Sequence, residues 1–291
     1  MRLCPACAAE RPAFDAPCPA CGHGILYRDG IAILSPEMAG EGEGFNADNF
    51  GDLYASEASS FWFQGRNDIL SWVIGRFVRP RSSFLEIGCG TGFVLSRLQR
   101  DFPDTRLTGS ELFDRGLSFA RQRLPGVELL QMDARALPYR AEFDGIGAFD
   151  VLEHIAEDER VLSEIHRALR PGGHAVLSVP QHPALWSLAD DIAFHQRRYR
   201  RGELEEKLRR AGFEVVMSTS FVTILLPLMF AVRRSDRNRR ALEKDPAAEH
   251  RMSAPVTAIL RATMSLELAL MRLGLRLPAG GSRLVVARKA G

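Results

Sequence analysis

Seven short segments with strand patterns set the rhythm of this chain from Ser83 onward. They fall at residues 84–87, 106–110, 127–131, 143–148, 174–179, 213–219 and 282–289, with helical spacing between the first five. Strand and helix patterns in alternation predict a mostly parallel sheet with helices on both faces. Residues 203–211 read as a helix stopped by Gly212, so that 213–219 is a sixth strand and SRLVVARK a seventh.

Two further regions carry apolar patterns of another kind. Between 53 and 78, Phe61, Trp62, Phe63, Ile69, Leu70, Trp72, Val73, Ile74 and Phe77 fall mostly on a helical period, interrupted by QGRND. Trp62, Phe63 and Trp72 read as core. Between the sixth and seventh strands lies FVTILLPLMFAV at 221–232, then an arginine-rich stretch at 233–240. Apolar residues return at helical spacing over 256–277, with Arg261, Arg272 and Arg276 among them. No unbroken run approaches the about 20 residues needed to cross a bilayer. This insert, at about 221–280, therefore reads as a buried helix with a charged loop, an interfacial segment whose arginines meet anionic head groups, or a lid over an apolar acceptor.

The N-terminus adds chemistry of its own. Cys4, Cys7, Cys18 and Cys21 form two CPAC tetrapeptides, a spacing that presents four thiolates to one tetrahedral Zn2+. Such an ion holds together a segment too small to build a core. Residues 37–52, rich in Gly, Glu and Asn, read as a linker. The expected division is a zinc-ribbon-like segment over 1–36, that linker, and an α/β domain over 53–291.

At 291 residues and 46% hydrophobic composition the chain can fill a sizeable core. With 38 basic and 36 acidic residues the net charge is only +2, which excludes a general electrostatic hold on nucleic acid. The first 25 residues contain no apolar signal region, so a cytoplasmic protein is expected, with peripheral membrane contact through the insert left open.

The first strand ends in FLEIGCGTG. Its glycines, Gly88, Gly90 and Gly92, alternate, whereas a dinucleotide fingerprint places its third glycine three positions after the second. An acid followed by GxGxG resembles the nucleotide-binding loop of class I S-adenosylmethionine-dependent methyltransferases. The resemblance covers about 83–213 and implies a Rossmann-like seven-stranded sheet whose reversed last strand inserts beside the sixth. Helices ahead of the first strand often cap the ligand cleft in that family.

By resemblance the glycine loop, with Cys89 inside it, passes close to the methionine moiety of S-adenosyl-L-methionine, and Glu86 helps hold its amino end. Glu111, followed by Leu112, would accept from the ribose hydroxyls; Asp133, flanked by Met132 and Ala134, would accept from the adenine amino group. AFDVLEHI, with Asp150, Glu153 and His154, resembles the segment lining the methyl-donor end. The long loop after the fifth strand carries His182, Trp186, Asp190, Asp191, His195, Arg197, Arg198 and Tyr199, and loops at that edge form the acceptor pocket in the family. His154 and His195 are candidate bases, and His195 and Tyr199 candidate acceptor contacts.

The chain lacks the Asn/Asp-Pro-Pro-aromatic motif of amino-methylating nucleic-acid enzymes after strand four, and outside the CPAC pairs only Cys89 could serve as a nucleophile. A small or lipid-like acceptor is expected, at oxygen or nitrogen rather than carbon. An RNA guanine-nitrogen acceptor read by the zinc ribbon and a non-catalytic cofactor-binding scaffold are the alternatives.

Overall fold

The computed structural model describes residues 1–38, 49–79, 81–235, 243 and 252–291. All seven expected strands are present: β5 (Ser83–Ile87), β6 (Arg106–Glu111), β7 (Glu128–Gln131), β8 (Phe143–Phe149), β9 (Leu169–Pro180), β10 (Phe213–Phe221) and β11 (Ser282–Lys289). Four shorter strands precede them: β1 (Arg2–Leu3), β2 (Glu10–Arg11), β3 (Leu26–Arg28) and β4 (Ile31–Ile33).

The main sheet has nine strands in the order β10-β11-β9-β8-β5-β6-β7-β4-β3. Strands β4 to β9 pair in parallel, and β11 runs antiparallel to both β9 and β10. This is an α/β Rossmann-like sheet with the reversed strand beside the sixth, as the family resemblance implies, and with two strands added at one edge. The addition departs from the expected separation of the N-terminal segment, because β4 pairs with β7 and β3 closes a hairpin on it. A three-residue apolar strand of Ile31, Ala32 and Ile33, all buried, is too short to announce itself in sequence. The expected linker lies mostly at 39–48, outside the described residues; its ends fall in a short helix (Pro36–Met38) and in α1 (Asn49–Ser56).

The helices in chain order are α1, α2 (Phe61–Phe77), α3 (Phe93–Asp101), α4 (Asp114–Arg123), α5 (Asp158–Ala168), α6 (Leu188–Ile192), α7 (Glu203–Arg210), α8 (Leu226–Arg233) and α9 (Ala254–Arg272). One core lies between the sheet and α2, α3, α4 and α9 through Leu70, Val73, Leu95, Leu117, Met264 and Leu268. The other lies against α5 and α7 through Leu162, Ile165, Leu204 and Leu208. Strand alternation sends Leu85 and Ile87 to the second core and Phe84 to the first, which puts Glu86 on the α2 side.

The QGRND stretch lies inside α2 rather than breaking it. Gly65 lets α9 approach closely there, since a Cβ would stand 2.5 Å from Met264 Sδ and 3.1 Å from its Cβ. Trp62 and Trp72 pack against the core, with Trp62 stacked on Phe221 at 5.6 Å. The insert resolves into α8 and α9, while most of its arginine-rich stretch lies outside the described residues. α9 is long and apolar enough, by length and composition, to cross a membrane; its interspersed arginines hid this from a count of unbroken apolar residues. In the fold it packs one face on α2 and leaves Val256, Ile259 and Leu266 exposed. α8 has no buried residue, so the expectation of a buried helix at 221–232 does not hold there.

Candidate functional site

The glycine loop leaves β5 with positive φ at all three glycines: +66° at Gly88, +51° at Gly90 and +76° at Gly92. L-side chains rarely adopt this region, and a Cβ at Gly88 would stand 2.5 Å from Val151 Cγ2. Cys89 is not open to the cleft. Its thiol is buried, its amide donates to Ser110 O at 2.8 Å, and burial pushes its pKa up. It acts as packing beneath the loop.

Glu111 ends β6 under the same loop. Its carboxylate accepts from the backbone amides of Gly90 (3.0 Å), Leu112 (2.7 Å) and Phe113 (3.2 Å). Burial raises its pKa, and these three donors oppose that rise. Glu86 is 2% exposed, and its Oε2 has no hydrogen-bond partner among the described residues. Burial holds its carboxyl well above the usual range, opposed by Arg66. An unpartnered carboxyl oxygen beside three bare glycines fits the ammonium end of an adenosylmethionine donor.

α1 covers this loop, as the family resemblance implies for helices ahead of the first strand. Phe50 lies 3.5 Å from where a Gly90 Cβ would be. Glu57 accepts from the Thr91 hydroxyl at 2.7 Å, and Arg123 bridges Glu57 and the Thr91 carbonyl.

Asp133 is held differently from its expected role. It caps the short helix at Ala134–Ala136 by accepting from Arg135 N at 2.8 Å and forms an ion pair with the Arg135 guanidinium at 2.9 Å. Met132 and Ala134 are buried beside it. A carboxylate after a strand is a natural cap; any adenine contact would use its remaining lone pairs.

At the end of β8, Asp150 takes φ +58°, accepts from the Ser178 hydroxyl at 3.2 Å and pairs with Arg66. Glu153 is 1% exposed; burial and then Asp150 raise its pKa well above normal, and its Oε2 has no partner among the described residues. His154 follows, with its ring centroid 4.8 Å from that of His195. His195 Nδ1 lies 2.9 Å from Asp190 Oδ1. Asp190, 1% exposed, also pairs with Arg198 and Arg233, both at 2.7 Å. The loop after β9 and the strand end after β8 therefore bring His154 and His195 together.

Tyr199 is a correction. Its backbone joins the sheet next to Gln181, and its ring is fully buried toward α5, where the hydroxyl donates to Asp158 at 2.7 Å. It cannot touch an acceptor in the cleft. Asp158 also pairs with Lys207 and Arg197; burial raises its carboxyl's pKa, but these partners more than reverse that and leave it below normal. Tyr199→Phe is expected to cost about 1–2 kcal/mol of stability with turnover unchanged. Asp158→Asn should cost more, about 3 kcal/mol. Because the folded pKa is depressed, the native advantage is complete above the unfolded value of about 3.9 and fades as pH falls through the folded value. Denaturant melts at neutral and acid pH should show the Asp158→Asn deficit shrinking on acidification.

Sequence reasoning missed two groups. Arg66 of α2 pairs with Asp150 and lies close enough to Glu86 and Glu153 to oppose their rise in pKa; its only signal was a polar break in an apolar helix. Arg233 of α8 ties the insert to the acceptor-side loop through Asp190, the Ser187 hydroxyl and Leu185 O.

In the N-terminal segment, Sγ of Cys4 and Cys21 lie 3.8 Å apart, as do those of Cys7 and Cys18. A tetrahedral ion with sulfur at about 2.3 Å requires sulfurs about 3.8 Å apart. All four lie within 4.8 Å of one another and none is in a disulfide, so the set fits one ion.

Residues 85–177 match the methyltransferase domain family. A protein of Mycolicibacterium smegmatis named as a probable S-adenosylmethionine-dependent methyltransferase is 30% identical over 162 residues, 54% of this chain and 60% of that protein. The phthiotriol/phenolphthiotriol dimycocerosates methyltransferase of Mycobacterium tuberculosis is 34% identical over 158 residues, 51% of this chain and 58% of that protein. Among solved structures, the Haloferax volcanii complex of the Trm112 methyltransferase activator with its partner methyltransferase contains a chain that superimposes with a TM-score of 0.58 at 17% identity, over 84% of this chain and 97% of that one. The chain spans 60% or less of the length of the first curated relatives it matches.

Proposed function

We propose that the chain is an S-adenosylmethionine-dependent methyltransferase acting on an oxygen or nitrogen of a small, lipid-like acceptor, with a structural Zn2+ on Cys4, Cys7, Cys18 and Cys21. The observation that carries the donor assignment is the junction of three positive-φ glycines with the unpartnered Glu86 carboxyl and the Glu111 carboxylate. When bound, the donor supplies an electrophilic methyl on a sulfonium, whose charge disperses during in-line transfer. Glu86 would hold its ammonium end and Glu111 its ribose, while α1 covers the glycine loop and excludes water. At the other end, His154 or His195 takes the acceptor's proton, and Asp190 stabilises His195 once it is charged.

The lipid-like acceptor is supported by α8. Its apolar residues Leu228 and Val232 are exposed, and Arg233 pins the helix to the loop that carries His195. The relative noted above is named for phthiotriol and phenolphthiotriol dimycocerosates as its substrates, in keeping with this reading. Sheet order argues against an RNA acceptor read by the zinc segment, since that segment sits beyond β7 while the acceptor loop follows β9.

Transfer of labelled methyl to a panel of hydroxylated and amino lipids tests the proposal, and no product with any donor-binding preparation would refute it. A second expectation concerns protons. Burial keeps the Glu86 proton on to higher pH than in an exposed glutamate. An arriving ammonium favours the ionised form, so donor binding should release a proton and tighten as pH rises. Calorimetry in two buffers of different ionisation enthalpy measures this, and an identical enthalpy in both would sink it.

A further inference from the structure

The cluster at the methyl-donor end has an arrangement that acid–base chemistry does not require. One ligand atom from each of Glu153, His154 and His195 lies within 4.8 Å of the others, on two segments of the chain. Glu153 N-terminally adjoins His154 in the short helix Leu152–His154. His195 follows α6, and its segment is fixed to the first by Gln196 N donating to Glu153 O at 2.7 Å.

From these we infer that Glu153, His154 and His195 form a site for one divalent first-row transition ion, distinct from the four cysteines and next to the acceptor. The inference rests on the methyltransferase reading for its purpose, but the site itself stands on three separate observations.

The first is the donor set. Two imidazoles and one carboxylate suit Mn, Fe, Co, Ni or Zn better than Mg or Ca, which favour oxygen alone. Three ligands also leave positions open for an acceptor oxygen. The second is Glu153 itself: a carboxyl 1% exposed whose Oε2 has no partner among the described residues. A buried carboxyl oxygen with nothing to bond is costly, and a cation removes the cost. The third is the surroundings of His195. Its Nδ1 lies 2.9 Å from Asp190 Oδ1, and Asp190 is itself fixed by Arg198 and Arg233. Imidazoles that ligate metals are oriented in this way, one nitrogen on a carboxylate and the other on the ion, so Nε2 of His195 is the ligating atom.

Ligands at about 2.1 Å from an ion stand about 3.0–3.5 Å apart, so the three ligand atoms draw together as the ion binds. Asp150 flanks the site but is committed to Arg66 and Ser178. The ion would hold an acceptor bearing a hydroxyl, phenol or carboxylate oxygen in line with the methyl and favour its ionised form. In that case His195 serves as ligand and the acceptor's proton leaves to solvent. The acceptor class thereby narrows to oxygen.

The test uses the full chain with its cysteines loaded with zinc, titrated with Mn2+ while the signal of the free ion is followed by electron paramagnetic resonance. One equivalent of Mn2+ should bind. Glu153→Gln and His195→Ala should each abolish this uptake, and Asp190→Asn should weaken it about 10- to 100-fold. Circular dichroism and uptake of S-adenosylhomocysteine report on folding of each variant. Wild-type protein that takes up no Mn2+ at millimolar concentration overturns the site whatever the variants do, as does uptake that survives both ligand substitutions. Donor uptake without Mn2+ uptake removes the ion and leaves the methyltransferase reading; Mn2+ uptake without donor uptake does the reverse.

Discussion

Glu111→Ala should weaken the uptake of S-adenosylmethionine and S-adenosylhomocysteine by at least about 100-fold, a loss of about 2.7 kcal/mol. The carboxylate does two things at once. On the proposed reading it receives the ribose hydroxyls, and it already accepts from Gly90, Leu112 and Phe113. Removing it strips an acceptor from three backbone amides, two at the turn between β6 and α4 and one in the glycine loop after β5, at about 1–3 kcal/mol for each donor left unpaired. The Gly90 amide then has nothing to fix it, so the loop that should cradle the methionine end loses its anchor as well. Glu111→Gln keeps the size and one acceptor oxygen, and should fall between the two. Calorimetric titration, paired with a thermal melt, separates the effects: the alanine protein should remain folded while the binding heat disappears. Unchanged affinity in folded Glu111→Ala would place the donor elsewhere on the molecule.

The legibility of this site in sequence follows from how local each determinant is. FLEIGCGTG is one continuous segment, so the strand end, the turn and the acid before it could all be read from spacing. Most of the parallel strands were likewise visible because buried parallel strands carry few charged residues, whereas β10 showed itself by alternation. Asp133 was found by position, yet its partner Arg135 turned it into a helix cap, an outcome that the residue type alone equally allows. Tyr199 was misplaced because HQRRYR gives no periodicity; which way a side chain leaves an irregular loop is decided by contacts such as Asp158, 41 residues away in sequence. Arg66 was invisible for the same reason, its partner Asp150 being 84 residues distant. The β4 strand was missed because three apolar residues become a strand only when β7 offers an edge.

That edge makes the N-terminal segment the place where removal of a ligand should have its largest structural effect. Chelation, or Cys4→Ser with Cys18→Ser, is expected to unfold residues 1–38 while the rest of the sheet persists. The segment's own core is small: among its buried residues are Leu3, Cys4, Phe14 and Cys18. Structural zinc in such small modules contributes about 10–16 kcal/mol of apparent binding free energy, more than so few apolar groups can supply. The segment is nevertheless joined to the domain, by Leu3 N donating to Pro138 O at 2.8 Å, by Phe14 against Tyr139 at 5.9 Å and by β4 along β7. Its loss would therefore uncover one edge of the domain. Ser35 exchanges two hydrogen bonds with the Gln131 side chain, which also donates to Leu112 O at 3.1 Å, directly after Glu111. A modest loss of donor affinity, about tenfold or less, should accompany unfolding of the segment, since removing hydrogen bonds of this kind costs about 1 kcal/mol. Hydrogen exchange read by mass spectrometry should show residues 1–38 exchanging fully after zinc removal, with protection retained in β5, β8 and β9. Protection of residues 1–38 that survives complete loss of zinc would show that docking on β7, and not the ion, holds this segment in place.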